Sequence, residues 1–586
     1  MKQSDKNETK HTVMKFPLLF KAAATIASSL LLLSANTTDS SACTNIIVGK
    51  KASADGSVIC TYNCDGFGFS GSMKYTPAGA HEKGEKIAIR TWGSGPIRGY
   101  VDQVDYTYGV IGYINDHQVS IVETTFGGRE ELQNREGILD YDTMMHLALE
   151  RSASAREAII VMGNLLRDYG YNQTGETITV CDKDEAWIFE VIGKGPGRKG
   201  AVWVAVRIPD DCISAHANIS RIREFPQTRK ADKATGFHIV EGECIYSPDV
   251  ISFAREMGYY SGTDENFSFR DAYCPISFEK VRYADARVWS FFRHHYDKET
   301  MDSYLPYING EFDKCDHLPL YIKPDKPLSV RDVMEDMRDH YEGTPLDMTA
   351  DMSAGPWGMP IRPRPMNYTT SNGNTYFMER PIGTQQSGFT LVSQLRSWLP
   401  DPVGGIMYFN CDDASMVAYV PVFCGATEVP EAFRSENNPH NEFSWKSAFW
   451  VNNLVANMVY PRYSQMKDDL KKAQKQLEDY YAEEVAALPD AVKDMTRREM
   501  VSFLNGKSAQ YTRRMMERWE ELFRFLVVKF NDQVVRNEKD GVFTGGYTTP
   551  GYDPVFNEAI GSSTGDRYRV KTESSAAEAN AQTNAL

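Results

Sequence analysis

The sequence predicts an α+β layer architecture with a helical C-terminal region, and three observations point there. Strand-turn-strand patterns stand at both ends of the stretch 43–440, two successive helical runs lie between them, and a long charged helical pattern follows Phe443. Sheets packed against helices account for all three. At 586 residues, 42% of them hydrophobic, the chain has ample material for a large buried core.

The elements follow in order. Thr44 to Lys51 reads as a strand, Ala54-Asp55-Gly56 as a turn and Ser57 to Tyr62 as a second strand, making a hairpin whose first strand begins at Cys43. YTYGVIGYI and QVSIVETTF form another pair around Asn115-Asp116. LDYDTMMHLALERSASAREAIIVMGNLLRDYG places apolar residues at helical spacing in two runs, broken near Ser152–Ser154. Strands return in ETITVCD, EAWIFEVIG and GAVWVAVRI. Roughly 225–345 mixes helical and loop signals, and Gly343–Pro365 is a Gly/Pro-rich connector. Strand patterns resume in SGFTLVSQLRSWLPDPVGGIMYFNCDDASMVAYVPVF. The region 441–570 is predicted mostly helical and packed on the core, with Met466–Leu488 charged enough to form a solvated helix face. The tail 571–586 is predicted disordered.

The N-terminus carries the charged, apolar, small-residue order of a secretory leader: from Met14, itself a second candidate start, the chain reads MKFPLLFKAAATIASSLLLLSANTTDSSA. Residues 1–42 are therefore read as a leader and the mature protein as exported, periplasmic or extracellular. No segment approaches the ~20 uninterrupted apolar residues of a stable membrane span. The net charge of −15, with no basic stripe, argues against nucleic acid or anionic membrane as partner. Homo-oligomerisation stays open. Ten cysteines are sparse for a disulfide scaffold, and no second close cysteine or histidine pair joins Cys60 and Cys64 in a zinc pattern. HExxH and a Walker-type phosphate loop are absent, so the sequence offers no metal or nucleotide cofactor. Gly561–Gly565 matches G-x-S-x-G without the strand-to-helix context that motif needs, and His294-His295 has no metal-ligand spacing to a carboxylate.

Cys43 is the residue that carries chemistry. Cleavage after Ala42 would place its thiol and a free α-amine on one residue. The amine titrates near 7.7–8.0 and can take the proton of a thiol whose ordinary pKa is about 8.5, so no histidine is required. A lipid-anchored, non-catalytic binding protein is the alternative from another class, because "SSAC" resembles a lipobox. Lipoboxes place Leu close before the Cys, whereas here Asn36–Ala42 separate it from the apolar core.

Cys43-Thr44-Asn45 followed by VGKKASADGS resembles the start of the dipeptidase family within the N-terminal-nucleophile hydrolases. ETTFGGREE at 123–131, EAWIFEVIGKGPG at 185–197, WVAVRIPDDCISAHAN at 203–218, ADARVW at 284–289, TQQSGFT at 384–390, RSWLPDP at 396–402 and YVPVFCGATEVP at 419–430 extend the likeness. The resemblance implies an αββα sandwich and removal of one amino acid from a dipeptide through a thioester. A same-fold amidase of N-acyl amides, of penicillin or bile-salt type, is the alternative within the fold. Position by position, it implies Cys43 as nucleophile, Asp65 orienting its amine, Asn218 stabilising the oxyanion and Arg287 steadying the site's charges. Each also has a structural use: a turn aspartate, a capping asparagine, an arginine in a helix ion pair. Where common members read A-R-N-E-D, this chain reads Thr61-Tyr62-Asn63-Cys64-Asp65. Tyr62 replaces an arginine that in related enzymes sits beside the nucleophile, and is expected either to line the substrate pocket or simply to pack.

Overall fold

The computed structural model describes residues 43–66, 70–362 and 367–571; the expected leader 1–42 and residues 572–586 of the expected tail lie outside the described residues. Among the described residues, two large antiparallel sheets dominate. The first runs in the order Tyr321–Ile322, Ile213–His216, Asn45–Val48, Val58–Asp65, Ser387–Leu395, Gly405–Cys411, Val420–Phe423. The second centres on Ala201–Ile208, Ala186–Gly193, Gly175–Cys181 and Ser120–Gly127, extended by short strands at both edges.

The two-residue period of the strands sorts their side chains into two cores. In Ala186–Gly193, Ile188 and Ile192 join the core shared with the first sheet, while Trp187, Phe189 and Val191 face a separate cluster with Met144, Ile159 and Met162. Those last residues come from the helices Tyr141–Arg151 and Ala155–Tyr169, separated at the expected break. Ser154 caps the second helix by accepting the Glu157 N–H, and Gly170 ends it with φ +77°, a conformation costly for other residues. Strands buried on both faces read as nearly continuous apolar runs, which is how GAVWVAVRI reads.

Against the first sheet pack the helices Ala286–His295, Ala448–Val459 and Arg497–Lys529. The helix Tyr463–Val492 does present the expected charged face. It also buries Met466, Leu470, Leu477, Tyr481, Val485 and Leu488, an i, i+4, i+7 stripe that the density of charge concealed. The exposed hairpin Val535–Lys539/Val542–Thr548 was not expected within the helical region. Its turn is Asp540-Gly541, both with positive φ (52° and 81°), the geometry that Asp-Gly favours in two-residue hairpins. Among the described residues no helix is long and apolar enough to cross a membrane.

Candidate active site

Cys43 is fully buried at the head of the strand Asn45–Val48. Its position is set by the next residue: Thr44 N–H donates to the Asn63 carbonyl at 3.2 Å and Asn63 N–H to the Thr44 carbonyl at 3.0 Å. Asn63 is anchored in turn, its amide donating to the carbonyls of Met337 and Ile382 at 3.3 and 3.1 Å. The Asn45 carboxamide, with its nitrogen toward the Thr44 and Glu123 carbonyls at 3.0 Å each, accepts the Glu123 N–H at 3.2 Å. The start of this strand is therefore tied to both sheets.

Arg287 approaches from the helix Ala286–His295, which widens into a π turn over Val281–Asp285 just before it. Asp285 holds that turn by accepting from Arg221 and Arg270 at 3.0 and 2.8 Å, all three buried. The buried guanidinium of Arg287 is a fork. Nη1 donates to the Cys43 carbonyl and to Thr44 Oγ1, both at 2.7 Å, and Nη2 donates to Asn218 Oδ1 at 2.8 Å. Asn218 follows the strand Ile213–His216 and donates from Nδ2 to the Thr125 carbonyl at 2.9 Å, in the second sheet. Burial, then the charge of Arg380, pulls Arg287 down to about 10, which leaves it cationic at neutral pH.

Asp65 ends the strand Val58–Asp65 at a bulge in its pairing with Ser387–Leu395. Its carboxylate accepts from Arg380 and from the Ser387 hydroxyl, and its charge reaches Cys43. Burial raises its pKa against the opposing pull of Arg380. The four expected residues thus converge, with Arg287 directly joining Cys43 to Asn218.

Tyr62 is buried, edge-on to Tyr113 and Phe389 with ring centroids 5.4 and 5.3 Å away. Its hydroxyl donates to Glu123 Oε1, which also lies 3.5 Å from Cys43 Sγ; the Tyr62 hydroxyl itself is 3.9 Å from that sulfur. Burial pushes the Glu123 carboxyl from its ordinary 4.5 up to about 7. Burial, and then the charge of Glu123, raises neighbouring Glu176 well above its ordinary range. Two acids in one dry site cannot both ionise cheaply, so the pair retains a proton. Burial also raises the Cys43 thiol well above its ordinary range, helped by its interaction with Cys64 and the charges of Glu123 and Asp65.

Sequence reasoning singled out neither Glu123, Glu176 nor Arg380. A carboxylate inside the apolar strand SIVETTF was a usable signal for Glu123; Arg380 offered none. His216, two residues before Asn218, is held between the hydroxyls of Thr124 and Thr179 at 2.7 Å each. Burial takes it down to about 3, so it is a neutral packing residue. His294 and His295 do meet a carboxylate, Asp336, at 3.2 and 2.7 Å, from a separate helix that sequence spacing could not reveal. Among the described residues no group of three or more His, Cys, Asp or Glu is placed to hold a metal ion.

Three relatives resemble most of the chain. A probable dipeptidase of Salmonella dublin is 27% identical over 66% of this chain and 81% of its own length. A probable dipeptidase of Latilactobacillus sakei is 25% identical over 83% and 95%. Dipeptidase A of Lactobacillus helveticus is 24% identical over 80% and 90%. The profile of peptidase family C69 matches residues 42–84 and 95–476, beginning one residue before Cys43 and spanning Asp65, Asn218, Arg287 and Arg380. With a match over most of its length that takes in every residue gathered around the buried thiol, the chain belongs to peptidase family C69.

Proposed function

We propose that this protein is an exported cysteine dipeptidase of the N-terminal-nucleophile class, in which removal of residues 1–42 makes Cys43 both nucleophile and base. Two facing sheets with helices against their outer faces support the αββα architecture of that class. The names of the three relatives support dipeptides as substrate.

The observation that carries the reading is the Arg287 fork, which joins the carbonyl of Cys43 to the carboxamide of Asn218. It fixes the backbone of the nucleophile relative to an amide donor, the geometry an oxyanion site needs. A thiol this buried stays protonated unless a base is on the spot, and a free α-amine on the same residue is such a base. In the reaction, the amine takes the thiol proton as sulfur attacks the scissile carbonyl. An Asn218 N–H steadies the oxyanion, and the amine then passes the proton to the departing amino acid. The thioester is hydrolysed by a water that the same amine deprotonates, which releases the second amino acid and restores the thiol. Asp65, held by Arg380 and Ser387, orients the terminal amine as a fixed negative charge. Arg380, close enough to feel the Cys43 charge, supplies the positive field that an arginine at position 62 would give. Tyr62 and Glu123 form the wall beside the sulfur.

Replacing the nucleophile tests this. Cys43→Ala should abolish hydrolysis of free dipeptides while the protein stays folded, and Cys43→Ser should leave only slow turnover. Full activity in the alanine variant refutes the reading. Intact mass of the exported protein should show an unmodified N-terminal Cys43; a diacylglyceryl adduct would make it a lipoprotein instead.

A further inference from the structure

We propose that Cys64 is a resolving thiol for Cys43: mild oxidation joins the two in a disulfide that silences the site reversibly and spares the nucleophile from irreversible oxidation. The pairing of the two strands carries this. Ile47 faces Cys60 and Val48 faces Ile59, and the separate bridge between Thr44 and Asn63 keeps the same antiparallel offset. Thr44 and Asn63 exchange both backbone hydrogen bonds. The next pair outward, Cys43 and Cys64, therefore occupies a non-hydrogen-bonded position, where opposed Cα atoms come within about 4.5 Å. That lies inside the span of about 4.4–6.8 Å that a disulfide bridges. Directly opposed residues also share a face of the sheet, and the two thiols are close enough to interact electrostatically.

The surroundings favour closure. The register of this strand against Ser387–Leu395 slips between Cys64 and Asp65, immediately after Cys64. Cys43 is buried and Cys64 is partly exposed. Cys60 and Cys181 also approach each other, but both are fully buried between the sheets.

With a peroxide as oxidant, the Cys43 thiolate attacks one peroxide oxygen and releases hydroxide, leaving a sulfenic acid. The Cys64 thiol then displaces that hydroxyl as water, forming the S–S bond. One peroxide accepts two electrons and the two thiol protons leave in water. The loss of activity rests on Cys43 being the nucleophile; the cross-link itself does not.

The test uses the exported, processed protein exposed to hydrogen peroxide and then dithiothreitol. Peptide mapping after thiol blocking should show a Cys43–Cys64 link, with dipeptidase activity falling at least tenfold and returning once the link is reduced. In Cys64→Ser and Cys64→Ala, activity lost to peroxide, measured against each variant's own reduced activity, should not return, because Cys43 proceeds to sulfinic acid. Absence of the link in oxidised wild type, a Cys60–Cys181 link in its place, or equal recovery in the Cys64 variants overturns the proposal. A Cys43–Cys64 link in a protein with no dipeptidase activity upholds the thiol pair and refutes the function instead.

Discussion

Replacing Glu123 with glutamine removes one titrating proton from beside the sulfur while preserving the side chain's shape. Tyr62 and Cys43 can still donate to Oε1, and the new amide can donate to Glu176. In the wild type, burial holds the Glu123 carboxyl neutral up to about 7 instead of its ordinary 4.5. At about 1.4 kcal/mol per pH decade, that rise from 4.5 to about 7 corresponds to roughly 3 kcal/mol of stability. The sign follows from proton counts: between those values the folded state holds a proton that the unfolded state has lost. The contribution is therefore complete below the unfolded pKa and disappears as pH rises through the folded one. Glu123→Gln has no such dependence. Urea unfolding of both proteins at about pH 5 and about pH 8 isolates the effect of the Glu123–Glu176 pair, because titrations outside that pair are common to both and cancel in the difference. Relative to wild type, the variant should gain roughly 2–3 kcal/mol on going from about pH 5 to about pH 8. A relative change under about 0.5 kcal/mol would show that this carboxyl titrates normally, and the dry acid pair beside Cys43 would have to be abandoned.

The other expected outcomes concern the fork, the amide, the second arginine and the outer helix. Arg287→Lys keeps a charge but cannot serve three acceptors, so kcat should drop and each orphaned buried acceptor should cost about 1–3 kcal/mol in denaturant unfolding. Asn218→Ala should lower kcat by about 100-fold or more with little change in KM, as removal of an oxyanion donor does; steady-state kinetics on a free dipeptide decides it. Arg380→Met should strand the buried Asp65 charge at a cost of about 3–5 kcal/mol and move the rising limb of the pH–rate profile upward. Leu477→Ala should cost about 2–5 kcal/mol, measured by urea unfolding, if the stripe of Tyr463–Val492 is core rather than surface.

Much of the architecture was legible because its signals are local. The apolar run in EAWIFEVIG and the serine break between two helical runs each lie within a few neighbouring positions. A strand period and a capping serine act through the chain's own geometry and need no distant partner. The C-terminal hairpin escaped because its strands are exposed and lack an apolar alternation, although Asp540-Gly541 marked its turn.

The residues alone nominated Cys43, and the family resemblance added Asp65, Asn218 and Arg287; folding decided how they meet. That one guanidinium spans Cys43 and Asn218, that Arg380 holds Asp65 and that Glu123 stands 3.5 Å from the sulfur depends on strands and helices far apart in the chain. An arginine or glutamate reads the same in sequence whether it faces water or a buried partner. Only packing removes the water, and its removal is what shifts the pKa values and makes each of those hydrogen bonds obligatory.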